Sequence, residues 1–255
     1  MRSSNFPRRL LGATLVALCA LGTASAGATE LISNGGFEAD GAFTYSPSGW
    51  TVAESFGIGG VAVDSATSSH ASGWAAAGPA SGSYYASLDA FSLGAYTLSQ
   101  SFSTAAVRQA TLSFQMYVND QSASGSARVG GTLDYTSSSP LYYARVDVLK
   151  AGADSFASGT DVVKSLYIGG ATGRLYGNSS NGYVGFTYDL SDVLAKGGQY
   201  TLRFAVINNQ GDQMQMGLDN VSLQVAAVPE PESYALMLAG LGLVGVVARR
   251  RRSAK

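Results

Sequence analysis

Residues 142–150 read YYARVDVLK, and this stretch indicates the fold class. Tyr143, Arg145 and Asp147 alternate with small or branched apolar residues. A period of two is typical of a β-strand that turns one face to the core and the other to water. The pattern therefore predicts a strand whose wet face carries Tyr143, Arg145 and Asp147.

The same alternation recurs elsewhere in the chain. Residues 111–118 read TLSFQMYV, and residues 201–207 read TLRFAVI. Many short runs of this kind lie between turns rich in Gly and Ser, and only residues 190–196 indicate a helical turn. This organisation predicts an all-β, antiparallel, jelly-roll-like β-sandwich over residues 29–226. Residues 57–82 and 121–139 have the composition of long loops.

The first 26 residues have the three parts of a secretory signal peptide. Arginines precede an apolar run at residues 10–21, and small residues form a cleavage site at residues 24–26. The prediction is a signal helix removed after Ala26, and the alternative is an uncleaved anchor. Cleavage removes Cys19, the single cysteine, so the exported domain has neither a disulfide nor a thiol.

The charge of the chain is distributed unevenly. Residues 27–232 contain eight Lys or Arg and all 17 Asp and Glu, which gives a formal charge of -9 for this part. An acidic domain argues against nucleic acid and anionic lipid as partners. It is compatible with neutral glycans or with cations.

The C-terminal segment is apolar and then basic. Residues 233–248 carry no charge, and Arg249, Arg250, Arg251 and Arg252 follow at once. A bilayer core requires roughly 20 apolar residues, with some tolerance. Because positive residues stay on the cytoplasmic side, the segment predicts a single transmembrane helix with its C-terminus inside.

The order of these features resembles the PEP-CTERM sorting signal. Val228-Pro229-Glu230-Pro231 precedes the apolar helix, the arginine cluster ends it, and the resemblance covers residues 228–252. It implies recognition by exosortase, a membrane processing enzyme, through Pro229, Glu230, Pro231 and the four arginines. It also implies transient anchoring at the inner membrane and transfer to the envelope surface or extracellular matrix. The alternative is a plain C-terminal membrane anchor behind a linker stiffened by proline.

The two ends of the domain resemble galactose-binding-like, carbohydrate-binding-module β-sandwiches. NGGFE stands at residues 34–38, and LDNVSL at residues 218–223. The resemblance implies a structural calcium ion held by Glu38 and Asp219. Carboxylates are ligands that calcium prefers, and the ion would join the terminal strands of a domain without disulfides. The alternative is that both carboxylates only hydrogen-bond turn backbones.

Few residues suit catalysis. His70 is the single histidine, and its Ser-rich surroundings predict a solvated loop residue. Paired carboxylates would serve glycoside hydrolysis, but nothing distinguishes any pair here. We therefore expect a protein that is not an enzyme, with a carboxylate-dependent glycan hydrolase as the alternative.

Exposed aromatic rings are the residues most suited to a sugar. Trp74, Tyr84 and Tyr142 are the candidate glycan-binding residues, and ordinary packing is the alternative for each. Trp50, within a short apolar run, is expected in the core. The function expected from the sequence is an exported matrix component that binds glycan, such as the cell's own exopolysaccharide, or that serves by its location alone.

Overall fold

The computed structural model describes residues 27–120, 131–173, 179–228 and 231–253, so the predicted signal peptide lies outside the described residues. Within these ranges the chain forms eleven β-strands, two α-helices and one short 3-10 helix at Gly159–Asp161. The elements are β1 (Thr29–Glu30), β2 (Thr51–Glu54), β3 (Gly60–Asp64), β4 (Tyr85–Ala90), β5 (Gly94–Thr104), β6 (Val107–Asp120), β7 (Tyr142–Lys150), β8 (Val162–Gly169), β9 (Val184–Asp189), α1 (Ser191–Leu194), β10 (Gly198–Asn208), β11 (Met214–Ala227) and α2 (Pro231–Ser253).

The strands make two antiparallel sheets packed face to face. The first has the order β3-β4-β11-β6-β9, with β1 added beside β11, and the second has the order β2-β5-β10-β7-β8. From β4 to β7 the chain changes sheet at every step, as it does again from β8 to β11. The predicted all-β, antiparallel, jelly-roll-like sandwich is confirmed.

The inner faces of the sheets form one hydrophobic core. Phe114 of β6 meets Phe204 of β10 edge to face, with ring centroids 5.2 Å apart and an angle of 88°. Trp50 packs on Phe204 from the end of the sandwich and is buried, as the sequence predicts. An aromatic pair of this kind adds about 0.5–1.5 kcal/mol to the burial of its area.

The outer face of β7 is not wet, and here the sequence-based prediction is wrong. Tyr143, Arg145 and Asp147 are all buried. The reason is that connecting segments cover this face: Arg145 Nη1 donates to the carbonyl of Gly131 at 3.1 Å, and the Tyr143 hydroxyl donates to the carbonyl of Thr132. Alternation predicts which residues share a face, but a nonlocal cover decides whether that face meets water.

A charged triad lies beneath these covering segments. Asp147 accepts hydrogen bonds from Arg145 Nε and Arg203 Nη2, each at 2.6 Å. Arg203 Nη1 also donates to the carbonyls of Ser155 and Ala157, at 3.0 and 2.8 Å. The triad therefore ties the connection between β7 and β8 to the second sheet.

The outer face of the first sheet is covered as well, by residues 65–83. The Tyr85 hydroxyl donates to the carbonyl of Ala66 at 3.1 Å, and Asn119 Nδ2 donates to the carbonyl of Ala75 at 3.2 Å. Within the cover, Ser68 and Ala75 form an antiparallel bridge. This small hairpin lies over β4 and positions the candidate site.

Candidate ligand-binding site

The structure brings the two predicted calcium ligands to one turn. Glu38 Oε1 accepts hydrogen bonds from the backbone N–H groups of Ser83 and Tyr84, at 2.7 and 2.9 Å. Asp219 Oδ2 accepts from the N–H groups of Ala80 and Ser81, at 2.9 and 3.0 Å. The two carboxylates thus hold the ends of the turn at residues 80–84, the contacts expected if they only hydrogen-bond turn backbones.

The backbone N–H groups that donate to Glu38 and Asp219 affect whether a cation could bind between these carboxylates. Burial raises the pKa of Asp219, with a smaller contribution from the charge of Glu38, while the N–H bonds act in the opposite direction. A calcium ion ligated by the same oxygens would compete with four backbone N–H groups for their lone pairs. Among the described residues no group of three or more His, Cys, Asp or Glu side chains is arranged to hold a metal. Calcium binding stays a prediction.

The three predicted glycan-binding residues lie in different environments. Trp74 is half-buried in the hairpin at residues 67–76, where its carbonyl accepts from the N–H of Ser69 at 2.6 Å. Tyr84 is half-buried too, and its hydroxyl donates to the carbonyl of Gly41 at 2.8 Å. Neither is excluded from a binding surface, but the structure does not bring them together.

The third residue, Tyr142, is not available to a sugar. Its side chain is 1% exposed and lies in the main core, where its hydroxyl donates to the carbonyl of Gln213. Tyr143 beside it is buried as well, on the opposite face of β7. The sequence predicts Tyr143 on the wet face and Tyr142 among the glycan-binding residues. Both predictions are wrong, because Tyr142 lies on the inner face in the core and the covering segments bury Tyr143.

A cavity of about 160 Å³ opens on the first sheet, between β3, β4 and the covering hairpin. It is lined by Tyr45, Gly59, Gly60, Ala62, Ser69, His70, Ala71, Ser87 and Asp89. The volume is far above the roughly 10–15 Å³ that one water requires. A side chain at Gly59 would collide with the Asp89 carbonyl and the Tyr96 ring, so glycine is needed there to let the β2–β3 connection approach β4.

An aromatic cluster stands at the rim of this cavity: Tyr45 and His70 line it, and Phe43 packs against both rings. Phe43 lies 4.9 Å from Tyr45 and 4.3 Å from His70 between ring centroids, and Tyr45 lies 5.3 Å from His70. Thr44 pairs with Val63 of β3, so Phe43 and Tyr45 project to the same side of their segment. Phe43 is 40% exposed and Tyr45 is 53% exposed, which leaves both rings open to a ligand.

The inner wall of the cavity carries a buried carboxylate. Asp89 is 1% exposed and lies on the outer face of β4, because its neighbours Leu88 and Ala90 face the core. Its Oδ2 accepts from the hydroxyls of Ser69 and Ser72 and, at 3.2 Å, from Gln213 Nε2. Burial raises the pKa of Asp89, and these hydrogen bonds partly oppose the rise.

None of the residues of this site was predicted from the sequence to bind a ligand. His70 is exposed, as predicted for a loop residue, but it belongs to the aromatic rim. Phe43, Tyr45 and Asp89 were not among the predicted site residues. The sequence feature that could have identified Asp89 is its position in the strand YASLDA. Burial of a charged side chain is unfavourable, so an acid within such a strand indicates a specific environment.

The tail forms the long helix α2, directly beyond the sandwich. Arg249–Arg252 end the helix and are exposed, whereas Pro229 and Glu230 lie outside the described residues. The predicted helix is present, but no helix in the described ranges is both long and apolar enough to cross a membrane. The uncharged run at residues 233–248 is 16 residues long, short of the roughly 20 that a span requires.

Several solved structures are similar to this chain at low sequence identity and with TM-scores below 0.5. They include TmCBM61 in complex with beta-1,4-galactotriose (15% identity, TM-score 0.43, covering 76% of this chain and 97% of that one). They also include the K3 adhesin domain of Lys-gingipain from Porphyromonas gingivalis w83 (17% identity, TM-score 0.47, covering 78% of this chain and 99% of that one). A third is an apo cyclase from Fischerella sp. (17% identity, TM-score 0.47, covering 80% of this chain and 100% of that one). None of these likenesses assigns a ligand or an activity to this chain.

A comparison of the sequence with known families identifies a motif in the C-terminal tail. No curated protein matches the chain. One family model, the PEP-CTERM protein-sorting motif, matches residues 227–252, from the last residue of β11 to the end of the arginine cluster. The chain is therefore an exported protein that carries a PEP-CTERM sorting motif after a β-sandwich domain.

Proposed function

We propose that this chain is a substrate of an exosortase-type membrane enzyme, which releases its β-sandwich to the envelope surface or the extracellular matrix. The observation that carries the proposal is the position of the sorting motif. The motif begins at Ala227, the last residue of β11, and the last backbone contact of the domain is the hydrogen bond from Val228 N to the carbonyl of Ala106, at 3.3 Å. Processing after Val228 would leave both sheets complete. Until then the tail holds the precursor at the inner membrane.

The sorting role is tested by changing the tail alone. Replacing Arg249–Arg252 with glutamine should keep the protein in the cell fraction, because the basic end of the signal is lost. A chain carrying Arg108→Gln, a change of an exposed arginine in the domain, is the control and should be released normally. Normal release of the tail variant would contradict the proposal.

We propose further that the sandwich binds glycan through the cavity beside Asp89. Exposed aromatic rings offer apolar faces to a sugar, and the buried polar groups behind them offer hydrogen bonds to its hydroxyls. The rim formed by Phe43, Tyr45 and His70 supplies the rings, and Ser87 and Asp89 supply polar groups. Such a domain would retain the protein in the cell's own exopolysaccharide.

Binding is tested by a polysaccharide pull-down with matched aromatic variants. Tyr45→Ala should weaken retention on exopolysaccharide from the host. Phe56→Ala, a change of a 61% exposed ring outside the cavity, should not. Trp74→Ala tests the neighbouring hairpin. If no variant differs from the wild type, the domain is a passive matrix component whose location is its function.

Catalysis is not part of the proposal. His70 is exposed on the rim, and Glu38 and Asp219 are both engaged by backbone N–H groups. Turnover of any glycan in a panel, lost on changing one Asp or Glu, would establish the hydrolase alternative instead.

A further inference from the structure

Asp89 is a buried carboxylate with no cationic partner among the described residues. Asp147, on the opposite sheet, is equally buried, but two arginines neutralise it. The donors to Asp89 are the hydroxyls of Ser69 and Ser72 and the amide of Gln213, all of them neutral. In the described part of the chain Asp89 takes part in no ion pair. A buried charge is unfavourable unless it is paired, so the Asp89 side of the cavity favours a positive group.

The described surroundings of the cavity add a second negative group. Among the described residues no lysine or arginine lines the cavity, and His70 is the one basic lining residue. Glu54 Oε1 accepts from the N–H of Val61 at 3.1 Å, which brings a second carboxylate beside the Gly60 lining. The whole region at residues 27–232 has a formal charge of -9, so its field attracts cations toward such a cleft.

The rim indicates what kind of cation is suited to the cavity. Phe43 and Tyr45 present exposed aromatic rings, and such rings attract organic ammonium groups as well as the apolar faces of sugars. An ammonium group also donates three hydrogen bonds. Acceptors are available in Asp89 and Ser87, which both line the cavity.

We propose that the cavity binds the protonated amine of an amino sugar, with the ammonium group at Asp89 and the sugar ring against Tyr45 and Phe43. The ligand class is therefore a cationic aminoglycan, a polymer that carries free rather than acetylated amines. This inference rests on the proposed glycan-binding function and narrows it to one class of glycan.

The test compares two ligands that differ in charge. Calorimetry at near-neutral pH measures the binding of a glucosamine oligomer and of the N-acetylglucosamine oligomer of the same length. We expect the free-amine oligomer to bind at least about tenfold more tightly, since one desolvated ammonium contact is of that order. Asp89→Asn should abolish this preference, and Phe56→Ala should leave it unchanged.

A second variant keeps the inference testable if Asp89→Asn does not fold. His70→Lys adds a positive charge on an exposed rim residue, so it should weaken the free-amine oligomer more than the acetylated one. Equal binding of both oligomers to the wild type would overturn the amine proposal while leaving glycan binding in place. An Asp89-dependent stabilisation by calcium alone would overturn it in favour of a metal. Absence of binding to any glycan would overturn both the amine proposal and the proposed glycan binding.

Discussion

Asp147 and Asp89 are buried on the outer faces of the two sheets, and their partners give them different roles. Asp147 is held by Arg145 and Arg203, whose guanidinium groups also donate to the carbonyls of the covering segments. Asp89 has neutral donors and a cavity beside it. The first arrangement stabilises the fold, and the second leaves a carboxylate ready for a ligand.

Removing one member of the triad should be strongly destabilising. Arg203→Met leaves Asp147 with a single cationic partner and frees the carbonyls of Ser155 and Ala157, so we expect a loss of about 3–5 kcal/mol in the free energy of unfolding. Lys150→Met, which breaks the exposed pair with Asp161 at 3.8 Å, should cost less than about 1 kcal/mol. Urea unfolding measures both, and equal losses would contradict the account.

Asp89 should make stability depend on pH. Burial raises its pKa, so the folded state holds the proton more tightly than the unfolded state does. The stability that the protonated form provides at low pH is then lost as the pH rises through the folded-state pKa. We expect the free energy of unfolding of the wild type to fall relative to that of Asp89→Asn as the pH rises from about 4. Urea titrations at several pH values measure this difference in the free energy of unfolding. A difference that does not change with pH would contradict a raised pKa for Asp89.

At the scale of elements, local pattern predicted the inner faces of the strands and failed on the outer faces. The alternation in β6, β7 and β10 identifies the side chains that meet in the core. It does not reveal that residues 65–83, 131–141 and 151–161 return to cover the outer faces. The sequence predicts a helical turn at residues 190–196, and it also predicts Ser191 as the cap of that turn. In α1 the Ser191 hydroxyl instead accepts from the N–H of Ala110 of β6, at 3.0 Å.

The candidate site was predictable only in part, for the same reason. Tyr45, His70 and Asp89 belong to a loop, a hairpin and a strand, and the pairing of Thr44 with Val63 and of β3 with β4 brings them together. The spacing of these residues along the sequence does not predict that pairing. The motifs containing Glu38 and Asp219 did point to two residues that meet at one turn.

The turn at residues 80–84 should depend on its two carboxylates. Asp219→Asn replaces one of two oxygens that accept from part-buried backbone N–H groups, and we expect a loss of about 1 kcal/mol in stability. Asp212→Asn, at an exposed position, is the control. Chelation of calcium tests the predicted ion: the melting temperature should stay unchanged only if the two carboxylates serve the backbone N–H groups alone. A drop on chelation that added calcium reverses would establish the structural calcium site.

At the scale of the whole molecule, the strand pairing brings the two ends of the domain together. Thr29 of β1 pairs with Val225 of β11, and the Glu30 carboxylate accepts from the N–H of Leu223 at 2.8 Å. The start of the sandwich therefore lies beside the strand that leads into the sorting motif. Removal of the tail beyond Val228 breaks none of these contacts, so the released domain should keep its fold.

The measurement that tests the account most directly is the intact mass of the protein recovered from the extracellular fraction of its native host. The account predicts a chain that begins near Gly27 and ends between Val228 and Glu232, because the sorting motif is processed and the sandwich is released whole. A full-length C-terminus, found only in the membrane fraction, would contradict it and would make the tail a plain anchor.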